Sequence, residues 1–181
     1  NGNSQEPLKE TDKVDPVNAY GESKLAGEQL ALKHNPDAII IRTSWVYSYY
    51  GKNFVKTMMR LMKEKESIGV VSDQIGSPTY AADLAEAILE IIRSGKWVPG
   101  IYNYSNEGII SWFDLAREIN TLINASCVVN PLTTSQFPTP AKRPAYSVLD
   151  KNKIQTTYHI KLKDWRDSLK DCIEKMMNGI N

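Results

Sequence analysis

The stretch Ala38-Ile39-Ile40-Ile41-Arg42-Thr43-Ser44-Trp45-Val46-Tyr47 decides the fold class. Three consecutive isoleucines lack the in–out alternation of a half-exposed strand, so both faces are expected to be covered. A strand inside a parallel sheet, flanked by helices, meets that condition. Upstream, a helix is expected from about Pro16 to His34, with Asp15 as N-cap and Pro16 at its first position. Pro36 bars its continuation. Downstream, Tyr49-Tyr50-Gly51 breaks the strand. Asn53 to Lys65 then reads as a helix with Phe54, Val55, Met58, Leu61 and Met62 on its apolar side.

The alternation continues. Ile68 to Val71 is a strand and Asp73 to Pro78 a turn. Thr79 is expected to cap a helix with Asp83 in its first turn, with Leu84, Ile88, Ile91 and Ile92 sharing one face, and with Gly95 at its end. Ile101 to Tyr104 is a further strand. Ser111 starts a helix striped by Leu115, Ile119, Leu122 and Ile123, and Cys127 to Val129 reads as a strand. Pro131 to Pro144 is expected to be largely irregular. A last helix, from about Asp164 to Met177, places Trp165, Leu169, Cys172, Ile173 and Met176 at helical spacing. This order predicts an α/β fold built of βαβ units around a parallel sheet.

Composition narrows the function. The chain has 181 residues, 22 Lys+Arg against 21 Asp+Glu, and a net charge of +1, so nucleic-acid binding driven by a basic surplus is not expected. No apolar run is long enough for a membrane span, and Asn1 to Glu10 lacks the plan of a signal peptide. Cys127 and Cys172 form no disulfide framework and have no neighbour at metal-ligand spacing; Cys172 reads as a small core residue. His34 and His159 stand apart from each other and from any acidic cluster. No metal site is expected, and the cytoplasm is the expected compartment.

Tyr20-Gly21-Glu22-Ser23-Lys24 puts a phenol and an ammonium at i and i+4, on one face of the first helix. An ammonium near a phenol favours the phenolate, and such a tyrosine can trade a proton with a carbonyl or hydroxyl oxygen. A chain of this composition is expected to contain such a pair by chance, so its weight comes from context. It lies on a helix that feeds the isoleucine strand, and Gly21 and Gly27 are expected to permit close backbone approach.

Asp15 to Glu28 resembles the Tyr-x-x-x-Lys helix of the extended short-chain dehydrogenase/reductase superfamily. Arg42-Thr43-Ser44-Trp45-Val46-Tyr47, Asn53-Phe54-Val55, Asp73-Gln74-Ile75-Gly76-Ser77-Pro78-Thr79 and Arg143-Pro144-Ala145-Tyr146-Ser147-Val148-Leu149 narrow the resemblance to the dTDP-4-dehydrorhamnose reductase family. The resemblance covers essentially the whole chain. It implies NADPH-dependent, or NADH-dependent, reduction of the 4-keto group of dTDP-4-dehydro-L-rhamnose to dTDP-L-rhamnose, a precursor of bacterial surface polysaccharides. Tyr20 would protonate the carbonyl oxygen as hydride arrives, and Lys24 would assist it and hold the nicotinamide ribose. Trp45 would lie against the deoxysugar, or else serve as a core or subunit-contact residue. Asn53 is either a substrate hydrogen-bonding residue or a helix N-cap. Gln74 and Thr79 either shape the pocket or serve as turn and cap residues. Lys142 and Arg143 either meet the diphosphate or are a solvated pair. The resemblance leaves room for a homodimer.

The family pattern begins with a strand, a Gly-x-x-Gly-x-x-Gly turn and a helix, which bring backbone N–H groups to the dinucleotide pyrophosphate. This sequence has no such segment, and the family's catalytic Thr/Ser before the tyrosine is also absent. The expected fold is therefore the C-terminal part of a Rossmann-like parallel sheet plus a small α/β substrate-binding region. Residues 1–100 would carry the Tyr/Lys helix and 101–181 the substrate-binding region, the two interleaved. The cofactor would be held mainly by the N-terminal half, so the chain alone is expected to bind NADPH weakly and turn over little. A second departure is Tyr47-Ser48-Tyr49-Tyr50-Gly51, where relatives often carry glycine directly after the tyrosine. The competing readings are a nucleotide-sugar epimerase or dehydratase, which shares the Tyr/Lys chemistry, and a non-catalytic, reductase-like regulatory subunit.

Overall fold

The computed structural model describes residues 4–141 and 143–179. Six α-helices and eight short strands alternate along them. In chain order these are α1 (Ala19–His34), β1 (Ile39–Arg42), β2 (Val46–Tyr47), α2 (Phe54–Glu64), β3 (Ser67–Val71), β4 (Ile75–Gly76) and β5 (Thr79–Tyr80). There follow α3 (Ala81–Arg93), β6 (Gly100–Asn103), β7 (Ile110–Ser111), α4 (Trp112–Leu122), β8 (Val128–Leu132), α5 (Asn152–Tyr158) and α6 (Trp165–Met177). None of these helices is long and apolar enough to cross a membrane.

The expected parallel pairing is present. β1 pairs with β6, β2 with β5 and β3 with β8, all parallel, and β4 pairs antiparallel with β7. The isoleucine strand departs from expectation in its burial. Among the described residues β1 is bonded on one edge only, to β6, and all four of its residues are half-buried. The strand also ends sooner than its sequence suggests. The chain bends at Thr43 to Trp45, where Trp45 takes a left-handed φ of 49°, and resumes as β2.

Two apolar clusters form the interior. The larger packs α2, α4 and α6 around β3, with Val55, Met58, Met62, Leu115, Ile119, Leu169 and Cys172 buried in it. The smaller joins Ala87 and Ile91 of α3, Tyr102 and Tyr104, and Ile154 and Tyr158 of α5. A polar knot ties α3, the β6–β7 connection and α6. Asp83, only 5% exposed, accepts from Asn106 Nδ2 at 2.8 Å, Ser168 Oγ at 2.5 Å and Lys163 Nζ at 2.7 Å. Asn106 Oδ1 in turn accepts from the Tyr80 N–H at 2.7 Å. Asp83 holds the Lys163 ammonium above the ordinary lysine range. A buried carboxylate is tolerated here because three donors surround it.

That knot corrects the reading of α3. Its buried face runs through Asp83, Ala87 and Ile91, which leaves Ile88 and Ile92 exposed. Asp15 does not cap α1; Asn18 does, and the helix starts at Ala19. Thr79 does not cap α3: the N-cap is Tyr80, and the Thr79 hydroxyl is spent on the Ser44 carbonyl at 2.7 Å. Part of the proline-rich segment is ordered strand, since Pro131 and Leu132 belong to β8. Ser111 does start α4, through a capping box with Asp114. Both cysteines are free and buried. Burial pushes the Cys172 thiol up to about 12.

Candidate functional site

Helix α1 positions the Tyr20/Lys24 pair. Asn18 opens it by accepting from the Gly21 N–H at 2.8 Å. Gly21 is closely approached, because a Cβ there would meet Pro16 Cβ at 3.0 Å, tighter than an ordinary contact. Gly27 is not, because a Cβ there would meet nothing within 4 Å. The helix buries no residue. It is fastened instead by an ionic fork: Arg42 at the end of β1 donates through Nε and Nη2 to the two Glu28 carboxylate oxygens, at 2.8 and 2.7 Å. The Arg42 and Glu28 side chains are 24% and 13% exposed. Such a bidentate guanidinium–carboxylate pair fixes direction as well as distance.

The N-terminal segment is strapped down beside it. Leu8 exchanges backbone hydrogen bonds with Val148 and Asp150. The buried Asn103 amide donates to the Leu8 and Asp150 carbonyls, each at 3.0 Å. The Asn103 N–H donates to the Glu10 carboxylate at 2.9 Å. Between this segment, α1 and β1 lies a cleft of about 850 Å3, walled by Tyr20, Lys24, Glu28, Ile40, Arg42 and Asn103 among others.

Tyr20 and Lys24 therefore share one wall of one cleft. The Lys24 ammonium lies 5.4 Å from the centre of the Tyr20 ring, and Tyr20 is 72% exposed. The other residues singled out in the sequence stand elsewhere. Thr43 reaches the cleft, but Trp45 is not among its lining residues. The Trp45 indole is stacked on Trp112, centroids 3.6 Å apart and planes at 13°, beside the larger apolar cluster. Asn53 is the N-cap of α2, with Oδ1 accepting from Lys56 N and Nδ2 donating to the Ser48 carbonyl at 2.6 Å. Gln74 is buried and donates to Thr134 Oγ1 at 3.1 Å. Arg143 is exposed on its loop. Lys142 lies outside the described residues, as do Asn1 and Gly2.

Three contributors had no signal of their own in the sequence. The Glu28–Arg42 fork joins residues from two elements, so no local spacing reveals it. Asn103 reads as one polar residue in a strand. The Trp45–Trp112 stack joins Trp45 to a residue distant in the chain, which no local spacing reveals.

The sequence matches the family described as the RmlD substrate-binding domain over residues 1–178. It is similar to dTDP-4-dehydrorhamnose reductase of Aggregatibacter actinomycetemcomitans, 44% identical over 173 residues, covering 90% of this chain and 59% of that protein. It is also similar to spore coat polysaccharide biosynthesis protein SpsK of Bacillus subtilis, 42% identical over 175 residues, covering 97% and 60%. Among solved structures, the dTDP-4-dehydrorhamnose reductase of Clostridium acetobutylicum superposes with a TM-score of 0.92 at 41% identity, covering 97% of this chain and 62% of that one. The Bacillus anthracis reductase in complex with NADP gives 0.90 at 41% identity, covering 96% and 61%. A UDP-glucuronic acid 4-epimerase of Bacillus cereus, at 18% identity and a TM-score of 0.77, shares the fold. The chain thus spans about three-fifths of the length of the curated relatives it matches.

Proposed function

Because the chain belongs to the RmlD substrate-binding domain family, we propose that it supplies the proton-donating and sugar-recognising side of a dTDP-4-dehydrorhamnose reductase. The reaction is reduction of the 4-keto group of dTDP-4-dehydro-L-rhamnose to give dTDP-L-rhamnose, a cytoplasmic step in making surface polysaccharide. The observation that carries this reading is the placement of Tyr20 and Lys24 together on an open cleft wall, in a chain 44% identical to a named reductase. That likeness at the level of sequence favours the reductase over the epimerases, whose likeness is confined to the fold.

The cleft offers a phenol hydroxyl and an ammonium, donors suited to the hydroxyls of a nicotinamide ribose. Among the described residues it offers no glycine-rich turn for a diphosphate. These residues fit the nicotinamide end of NADPH, and Tyr20 and Lys24 would hold it there. Bound in that position, the cofactor would supply hydride, that is, the two electrons together with the hydrogen that C4 gains. The chain's own part is acid chemistry. Tyr20 donates its hydroxyl proton to the oxygen at C4 of the sugar, and the Lys24 charge favours the phenolate left behind. Trp45 covers the deoxysugar, Asn53 offers the second lone pair of Oδ1 to a sugar hydroxyl, and Arg143 meets the diphosphate. We assign the Tyr/Lys helix to a nucleotide-side part, residues 1–100, interleaved with a sugar-side part, residues 101–181.

The test is reconstitution. The 181-residue chain alone is expected to bind NADPH weakly in titration calorimetry and to turn over little. Joined to the part of the Aggregatibacter reductase that this chain does not cover, it is expected to oxidise NADPH in the presence of the 4-keto sugar. Tyr20→Phe then lowers turnover by about 100-fold or more. Unchanged turnover in that variant refutes the role of Tyr20.

A further inference from the structure

Trp45 sits in a conformation that its own sequence does not favour. Its φ of 49° belongs to the left-handed region, which bulky residues enter only when their surroundings over-determine them. The backbone is pinned on both sides. Thr79 N donates to the Trp45 carbonyl at 3.2 Å, and Thr79 Oγ1 donates to the Ser44 carbonyl at 2.7 Å. Ser44 Oγ donates to the Ser77 carbonyl at 2.8 Å.

The ring is fixed separately. Trp112 covers one face of the indole at 3.6 Å. Gly76 lies so close that a Cβ there would come within 2.6 Å of Trp45 Cε2, 2.7 Å of Cζ2 and 2.6 Å of Ser147 Oγ. The φ of Gly76 is not in the left-handed region, so a side chain is refused there by contact and not by backbone conformation. A single pairing sets both neighbours: β4 and β7 align Gly76 with Ile110 and Ile75 with Ser111, and Trp112 follows directly. The 145–147 segment runs along β4, with Ile75 N donating to the Ala145 carbonyl and Ser147 N and Oγ both donating to the Ile75 carbonyl.

We propose that Gly76 and Trp112 are positioning residues that set the plane of the Trp45 indole for the apolar face of a 6-deoxyhexose on a nucleoside diphosphate. The inference rests on the reading above that Trp45 lies against the sugar. Trp112 backs the indole, and Gly76 leaves the space that the ring edge fills. The stack is thereby assembled before ligand arrives, so no rotamer of Trp45 has to be frozen on binding.

Two stacked indoles couple their transitions, which gives a couplet in the far-ultraviolet circular dichroism of the 181-residue chain. Gly76→Ala is expected to abolish the couplet while retaining all four tryptophans. It is also expected to weaken dTDP-L-rhamnose binding about tenfold and leave dTDP binding within about twofold. Trp112→Ala should weaken the sugar complex in the same way, and Trp112→Phe should recover most of the affinity. A wild-type couplet in Gly76→Ala overturns the proposal, as does equal weakening toward dTDP and dTDP-L-rhamnose. Sugar affinity unchanged in Trp45→Ala overturns instead the reading of Trp45 as a sugar contact, and the couplet then decides the positioning alone. If Gly76→Ala does not fold, the same change is made in a Trp45→Ala, Ser147→Ala background, which removes both obstacles. There it should leave the melting temperature nearly unchanged, and failure to fold in that background as well refutes the geometry.

Discussion

Replacing Glu28 by alanine should release α1 from the rest of the protein. The helix buries no residue, and its strongest tie to β1 is the fork between Glu28 and Arg42. Removing one partner of a fully buried pair costs about 3–5 kcal/mol, because the remaining charge is left unpaired. Here the side chains are 24% and 13% exposed, so water recovers part of that cost. Net hydrogen bonds to charged groups are worth about 1.5–3 kcal/mol. A loss of about 2–3 kcal/mol follows, and at about 1.4 kcal/mol per decade the opening of α1 becomes about 30- to 150-fold more frequent. Hydrogen exchange measured by mass spectrometry reads this directly. Amides of α1 should lose that much protection, while those of α4, anchored by the buried Leu115 and Ile119, should not change. A control in the exposed Arg60–Glu64 pair, Glu64→Gln, should be nearly silent. If α1 in Glu28→Ala exchanges within about threefold of the wild type, the fork is not what holds the helix.

Other outcomes follow from the same structure. Asp83→Ala leaves the buried Asn106 amide and Ser168 hydroxyl without their acceptor, while the 64% exposed Lys163 side chain regains water, and should destabilise the chain by about 2–4 kcal/mol, read as a fall in the denaturant midpoint. A midpoint within experimental scatter would refute the knot. Gly108→Ala places a methyl 2.1 Å from Trp165 Cδ1 at a φ of +127°, and should yield little or no folded protein on purification. The thiol reagent DTNB at about pH 8 should find no reactive cysteine in the native chain and two after denaturation, because both are buried and Cys172 is pushed up to about 12. Asp73 is held below the ordinary carboxylate range by the Thr134 N–H and hydroxyl. Its contribution is therefore present above about pH 4 and is lost as pH falls through the lowered folded value. Denaturant midpoints of wild type and Asp73→Asn should differ at neutral pH and converge in acid; a constant difference would contradict the assignment.

The elements legible in the sequence are those whose apolar residues face their own core. In α2, α4 and α6, residues such as Val55, Met58, Ile119 and Leu169 recur at helical spacing and are buried where that spacing places them. In α3 residue type and burial diverge, because a partnered aspartate and an alanine occupy the inner face that the spacing assigns to Ile88 and Ile92. Helix α5 buries only Ile154 and Tyr158 in seven residues, too few turns to register as a period. Strands β4, β5 and β7 are two residues long, and pairing between distant segments defines them. The same distinction holds at the site. The Tyr20/Lys24 spacing is local and legible, whereas the fork, the Asn103 strap and the indole stack join residues far apart in the chain.

The path of the backbone through β6 and β7 has an evolutionary consequence. Within a few residues the chain contributes Tyr102 and Tyr104 to one apolar cluster, Asn106 to the polar knot and Ile110 to the other cluster. A recombination breakpoint in that run parts residues that serve two clusters and the knot. Change in this run is thus expected to come as single, compensated substitutions, because a crossover there has to satisfy both clusters and the knot at once.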